Sequence, residues 1–331
     1  TFSKSFHMMK YEENRHIIKI VHETLWADNV TGSAINLLHK WKLKSLFFPR
    51  QIRSTSHFDS FVYKAADDRL GSKGNETTKD FMYWFTDAVS QENGESFTME
   101  ELVEEGILLI TAGSDTSSTA MAATIFYLLR TPHALERLQN EIRSVFRTVS
   151  SISFGPLLQS CTYLRACIDE GLRLAPPAGS VLHRQVEAGG VMVGSAFFPG
   201  NTDIGVPVFA LHHDRTYFPD PFKFQPERWI VGETLIDGSK VTEAALRHSE
   251  SAFMPFSAGT RGCIGKPLAL LQMSIVFATL MLKYDLRLCK ERWVNGLRSG
   301  IGPDPSEEFE LVDTFISWKS GPLVEVRARE V

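Results

Sequence analysis

The run Phe256-Ser-Ala-Gly-Thr-Arg-Gly-Cys-Ile-Gly265 carries the chain's clearest chemistry. A single cysteine, Cys263, lies two residues after Arg261 and just before an apolar helical pattern, with a glycine on either side within two positions. Those residue types in that order suit a thiolate that ligates a metal held in a flat macrocycle. Gly259 permits a tight turn, and Gly265 removes a Cβ where backbone must approach a planar group. The free N–H groups of a helix start favour an anionic sulfur. Arg261 is spaced to meet a carboxylate of the bound group through charge-assisted hydrogen bonds, and Phe256 to shield the sulfur from water. A small buried cysteine beside a Gly-rich turn is the ordinary reading of a lone Cys. It leaves five coordinated positions unexplained.

Three other constellations accompany this loop. Ala112-Gly113-Ser114-Asp115-Thr116-Ser117 lies in the middle of a long apolar segment, where a glycine and an acid both cost helix stability. The Thr116 hydroxyl is within reach of the Ala112 carbonyl four residues back, a bond that opens a helix locally. Read alone, a Ser/Thr-rich helix is more often a packing feature. Glu170 and Arg173 are spaced to pair on one helix face, ordinarily a solvated pair, and Phe224-Gln-Pro-Glu-Arg-Trp229 follows downstream. Arg184 stands on an expected strand. His212-His213 invites a metal reading, but adjacent residues point apart, so both are expected to be structural or exposed. Cys161 and Cys167 lack zinc-ligand spacing.

The Cys263 run resembles the cysteine-ligand loop of the cytochromes P450, with Phe256, Gly259, Arg261, Cys263 and Gly265 in the family's fixed places. Glu170, Arg173 and Arg228 match its Glu-x-x-Arg motif and the arginine completing its ion triad. The motifs occur in the family's order over nearly the whole chain. The opening TFSKSFHMM is similar to fungal members of the membrane-associated class.

The resemblance implies haem b with Cys263 as its thiolate ligand, Arg261 and Arg184 on the propionates, and a dioxygen groove at Ala112 and Gly113. Asp115 and Thr116 take the acid–alcohol role in proton delivery, and the triad locks the segment beneath the haem. The implied activity is monooxygenation of a lipophilic substrate by O2. Electrons would come from NADPH through a separate reductase, with cytochrome b5 as an optional second donor. Two rivals are a haem-thiolate isomerase, which commonly lacks the acid–alcohol pair, and a truncated, non-catalytic fragment. Family members carry a membrane anchor, several helices and part of the sheet ahead of the region matched here, and the chain opens on Thr1. The expectation is therefore the C-terminal portion of one haem-thiolate domain, 1–331, whose full-length form sits on the cytosolic face of the endoplasmic reticulum membrane.

The elements that must position these residues are mainly helical, an α+β class with small sheets. Glu13 to Trp26 and Asn36 to Phe48 have amphipathic spacing, and Gly71 to Lys79 is a polar loop. Thr98 and Glu101 form a capping box that opens a helix to about Arg130, and Thr131-Pro132 separates it from the next. Another helix, Cys161 to Leu174, stops at Pro176-Pro177. Short alternating runs follow from Val181 to Val208, with hairpin turns expected at Gly189-Gly190 and Pro199-Gly200. Residues 233–250 have the polarity of a surface insertion. One more helix starts after Cys263, and Thr314 to Arg329 suggests a strand pair turned at Gly321-Pro322.

Bulk composition excludes several classes. The 331 residues are 43% hydrophobic and 22% charged, with a formal net charge of -4, so no basic patch argues for nucleic acid. Four scattered cysteines make no disulfide framework and favour a reducing compartment. Gly106 to Leu129 carries Asp115 at its centre, and Pro267 to Leu282 is short for a membrane span. Both are expected to be buried core helices.

Overall fold

The computed structural model describes residues 2–33, 44–71, 79–89, 94–289 and 308–330. They form two compact units, Thr1–Asp115 and Thr116–Val331, and the division falls inside one long helix.

In the first unit, α1 (Arg15–Ser33) packs against α3 (Pro49–Gly71), and the single turn α2 (Lys44–Phe47) abuts α3. Ile17 and Val21 of α1 are one helical turn apart, and so are Phe58 and Val62 of α3; these four are buried together with Met82, Leu102 and Val103. The short α4 (Phe81–Asp87) is capped by Asp80, whose Oδ1 accepts the Tyr83 N–H at 2.9 Å. Most of the expected helix Asn36 to Phe48, and the interior of the polar segment Gly71 to Lys79, lie outside the described residues.

The long α5 (Met99–Arg130) starts as its sequence dictates. The Thr98 N–H donates to Glu101 Oε2 at 2.8 Å, and the Glu101 N–H returns to Thr98 Oγ1 at 3.3 Å. Its C-terminal half enters the second unit, where α6 (Pro132–Val145), the single turn α7 (Pro156–Gln159), α8 (Thr162–Leu174) and α11 (Lys266–Lys283) build the core. Ala134, Leu138 and Ile142 on α6, Leu164 and Ile168 on α8, and Met273 and Phe277 on α11 repeat at helical spacing and are buried. Gly171 is where α8 meets α5: a Cβ there would collide with the Thr124 hydroxyl and stand 2.9 Å from Thr124 Cβ. By length and composition α11 could cross a membrane, but its Met273–Phe277–Met281 stripe belongs to the core.

Among the described residues, all four sheets are two-stranded and antiparallel. β1 (Arg184–Gln185) pairs with β4 (Asp203–Ile204), enclosing the hairpin of β2 (Val191–Val193) and β3 (Ala196–Phe198). The register sets Val193 opposite Ala196, so the two-residue turn is Gly194-Ser195 and not Gly189-Gly190. Gly189-Gly190 instead forms the corner ahead of β2, with the Gly190 N–H donating to Glu187 O at 3.1 Å. The bend at Pro199-Gly200 is present, Thr202 N–H donating to Pro199 O at 3.3 Å.

One further expectation is corrected. The tail is not one strand pair turned at Gly321-Pro322. β7 (Trp318–Lys319) pairs with β6 (Leu311–Val312), while β8 (Val324–Ala328) pairs over five residues with β5 (Tyr284–Leu288). The β5 edge offers a charge match: Asp285 stands opposite Arg327 and binds it at 2.8 Å. The polar stretch 233–250 lies mostly at the surface, as expected, and part of it is helical. Thr242 accepts the Ala245 N–H at 3.1 Å and caps α10 (Glu243–Ala252), which follows the five-residue α9 (Val208–His212) in the chain.

Candidate functional site

The Cys263 loop is closed by its own backbone. Cys263 N–H donates to Phe256 O at 2.8 Å, and Gly262 N–H to Gly259 O at 3.0 Å across one 3-10 turn, Gly259–Arg261. Gly259 has a φ of +69°, the left-handed region a side chain would strain. Lys266 then opens α11 with Pro267 in its first turn, and Ala269 N–H donates to Gly265 O at 2.9 Å. Phe256 packs against the second unit's core, and the Lys266 ammonium lies 5.9 Å from its ring centre.

Cys263, Arg261 and the neighbouring Ile264 are exposed, and a Cβ built on Gly265 would stand 3.7 Å from Cys263 Sγ. One thiol, flanked by glycines, an apolar side chain and a guanidinium, is a donor set that fits an anionic planar macrocycle bound through a single sulfur. Cys161 and Cys167 do not compete for the role. Burial pushes the Cys161 thiol up to about 11 and the Cys167 thiol well above its ordinary value, so both stay protonated and inert. Among the described residues no group of three or more His, Cys, Asp or Glu is arranged to hold a metal by itself.

The middle of α5 is two-faced. Ala112, Gly113 and Ser114 are exposed, whereas Asp115 and Ser117 are buried and Thr116 is half-buried. The helix is thus not buried all round as its composition suggested. Ser114 Oγ makes a back-bond to Ile110 O at 2.6 Å. A Cβ on Gly113 would meet no atom within 4 Å. On the buried side, Asp115 Oδ2 lies 3.2 Å from His22 Nε2 of α1.

The triad expected from Glu170, Arg173 and Arg228 is assembled. Arg173 grips both Glu170 oxygens, Nε on Oε2 and Nη2 on Oε1, each at 2.9 Å, and Arg228 Nε adds a third contact to Oε1 at 3.0 Å. All three side chains are almost without solvent exposure. Burial alone would raise the Glu170 carboxyl. The charges of Arg173 and Arg228, with the Arg173 hydrogen bonds, outweigh it and hold the group at about 2. Arg173 Nη1 also donates to the carbonyls of His212 (2.9 Å) and Pro221 (2.6 Å), and Arg228 Nη1 to Pro219 (3.1 Å). Through Glu170 and Arg173, α8 thereby ties down residues between His212 and Trp229 on the way to the Cys263 loop.

Two members of this network went unrecognised in the sequence. Trp229 Nε1 donates to Glu170 Oε2 at 2.9 Å, and the Gln225 N–H to Oε1 at 3.0 Å, which fills the carboxylate's acceptor sites. His212 is fully buried, and burial with the nearby Arg173 charge pushes its imidazole down to about 3. It is therefore neutral, with its tautomer fixed by two bonds: Nδ1–H donates to Arg173 O at 3.3 Å, and Nε2 accepts the Met254 N–H at 3.0 Å. The His-His pair is structural, as expected, and His212 pins α8 to the residues just ahead of Phe256.

Arg184 is exposed on β1, where its Nη1 donates to His183 O at 2.8 Å. The tail is tied to the second half of α5, Thr119 Oγ1 donating to Ser317 O at 3.3 Å and Lys319 Nζ to Ser118 Oγ at 2.8 Å. Ser317 N–H donates to Pro177 O at 2.7 Å, so the strand turn 313–317 is held against the end of α8.

Comparison with known proteins gives the same family from sequence and from shape. The family model described as Cytochrome P450 matches residues 1–297. The chain is 36% identical to the cytochrome P450 monooxygenase lcsN of Purpureocillium lilacinum, covering 99% of this chain and 94% of that protein. It is 35% identical to the cytochrome P450 monooxygenase poxM of Penicillium oxalicum, covering 98% of this chain but only 59% of that protein. Among solved structures, the cytochrome P450DA heme domain superposes with a TM-score of 0.72 at 17% identity, covering 99% of this chain and 63% of that one. With the loop, the triad and the fold agreeing, the chain belongs to the cytochrome P450 family.

Proposed function

We propose that the chain acts as a haem-dependent monooxygenase, inserting one atom of dioxygen into a lipophilic organic substrate and reducing the other to water. The observation that carries this reading is the exposed Cys263 on a loop whose shape is set by backbone bonds and by Phe256, together with the Asp115-Thr116 pair on α5. An isomerase of the same class would have no use for that pair.

Cys263 Sγ would ligate the iron of haem b, with Arg261 and Arg184 on its propionates and Phe256 keeping water from the sulfur. Bound haem supplies dioxygen activation and oxygen transfer. Gly113 and Ala112 leave α5 without bulk on their exposed face, and Asp115 and Thr116 hold and pass the protons that water formation consumes. Electrons come from NADPH through a separate flavoprotein reductase. The full-length protein works on the cytosolic face of the endoplasmic reticulum membrane, where such a donor is held. The strand turn at 313–317 presents Phe315, about half exposed, which favours an apolar substrate.

The test is turnover of the haem-loaded chain with NADPH, a reductase and a panel of terpenoid, fatty-acid and aromatic probes. Thr116→Ala is expected to lower product per NADPH roughly tenfold or more and to divert electrons to peroxide. Unchanged product per NADPH in that variant, or product formed from a peroxide substrate without NADPH or dioxygen, would contradict the proposal.

A further inference from the structure

Residues 253–257 join α10 to the Cys263 loop. Among the described residues, their backbone-to-backbone hydrogen bonds run to Glu250 at the end of α10, to Cys263, and within a turn in which Ser257 N–H donates to Met254 O at 3.0 Å. Pro255 presets the second position of that turn, and Ser257 closes it at a φ of +59°, a strained value for a residue with a side chain. The turn bears on the chemistry because Phe256 lies inside it, and the Phe256 carbonyl takes the Cys263 N–H at 2.8 Å.

A side chain from outside meets this turn at its first residue: Met254 N–H donates to Nε2 of His212, the last residue of α9, at 3.0 Å. On the opposite edge of the ring, Nδ1–H donates to Arg173 O at 3.3 Å, and Arg173 Nη1 returns a bond to His212 O at 2.9 Å. His212 is fully buried, and its ring lies 5.4 Å from that of Phe253, which stands 4.5 Å from Trp229. A neutral imidazole suits this place because it offers an acceptor and a donor on opposite edges of one rigid ring. Without it, the Met254 amide and the Arg173 carbonyl would each lose a partner.

We propose that His212 is a positioning residue for the Cys263 ligand: it ties Met254 to the backbone of Arg173, and the turn so fixed presents the Phe256 carbonyl that holds the Cys263 amide. The inference rests on the haem-thiolate reading above and adds to it a residue from outside the ligand loop. When the tie is lost, the turn relaxes from the strained Ser257 conformation and Phe256 moves with it. The thiol then spends less time in the ligating position.

Two measurements test this. In the haem-loaded chain, the red-shifted band of the reduced carbon monoxide complex is followed in time, at a fixed interval below each protein's own melting temperature. His212→Phe, which keeps a ring but neither hydrogen bond, should lose the band several-fold faster than the unmutated chain. His212→Gln, which keeps an acceptor for the Met254 N–H, should fall between them. Leu138→Ala, a truncation of a fully buried side chain on α6, should match the unmutated chain at that interval. The second measurement is amide hydrogen exchange in His212→Gln, with and without haem. Loss of the rigid tie to Arg173 should speed exchange at Met254 and at Cys263 by a similar several-fold factor and leave Leu138 unchanged. Equal band loss in His212→Phe and Leu138→Ala, or an unchanged rate at the Cys263 amide in His212→Gln, would overturn the proposal alone. Absence of the red-shifted band in the unmutated chain would overturn the haem-thiolate reading, while exchange in the haem-free chain would still decide whether His212 holds the loop.

Discussion

Glu170 neutralises one of the two guanidinium groups buried with it, so its loss would leave both arginines uncompensated in a water-free site. Breaking a buried pair in this way costs about 3–5 kcal/mol, more than the intact pair contributes over an apolar replacement. Glu170→Gln is therefore expected to lower stability by that order in denaturant unfolding, whereas simultaneous apolar replacement of all three should cost less. The same residues set an acid limit. Glu170 titrates at about 2 in the fold against an ordinary 4.5, and His212 at about 3 against 6.5. Both folded values are depressed, so the unfolded chain binds more protons below 6.5. Stability is then complete above 6.5, falls first through His212 and falls further below 4.5 through Glu170, by a few kcal/mol in all. Melting temperature followed from pH 7.5 to 4 should drop, and His212→Gln should remove part of the fall between 6.5 and 4.5, the rest coming from His213, whose imidazole burial pushes down to about 4. A melting temperature that rises on acidification would contradict this assignment.

At the level of elements, those written in local signals were legible. The reciprocal Thr98–Glu101 cap, the Thr131-Pro132 boundary and the Pro176-Pro177 stop each depend on a few neighbouring residues, and the structure shows helices starting or ending there. What local signals do not encode is the choice of partner. Gly189-Gly190 carries a local hairpin signal, but cross-strand register places the turn at Gly194-Ser195. The tail's alternation was real, but its β8 strand pairs with β5, set far back in sequence and complementary in charge. In the site, the cysteine loop and triad were readable because fixed spacing carries them. His212 and Gly171 matter through contacts distant in sequence, which no spacing reports. Gly171 gives a direct check on the α5–α8 crossing. Gly171→Ala should cost about 1–3 kcal/mol by overpacking against Thr124. Thr124→Ala in the same chain should restore only part, because Thr124 Cβ as well as the hydroxyl lies too close.

On the scale of the whole molecule, chemistry is concentrated where regular structure is least. A helical core holds a long segment, residues 213 to 265, whose one α-helix is α10, through Arg173, Arg228 and His212, and the exposed thiol of Cys263 stands near its end. Binding of a macrocycle to that thiol should stabilise the fold by mass action, so haem is expected to raise the melting temperature of the unmutated chain more than that of Cys263→Ala. The central claim, thiolate ligation by Cys263, is tested most directly by the difference spectrum of the reduced, carbon monoxide-bound protein. The account predicts a strongly red-shifted Soret band in the haem-supplied chain and its loss in Cys263→Ala. No such band, or the same band in both proteins, would contradict it.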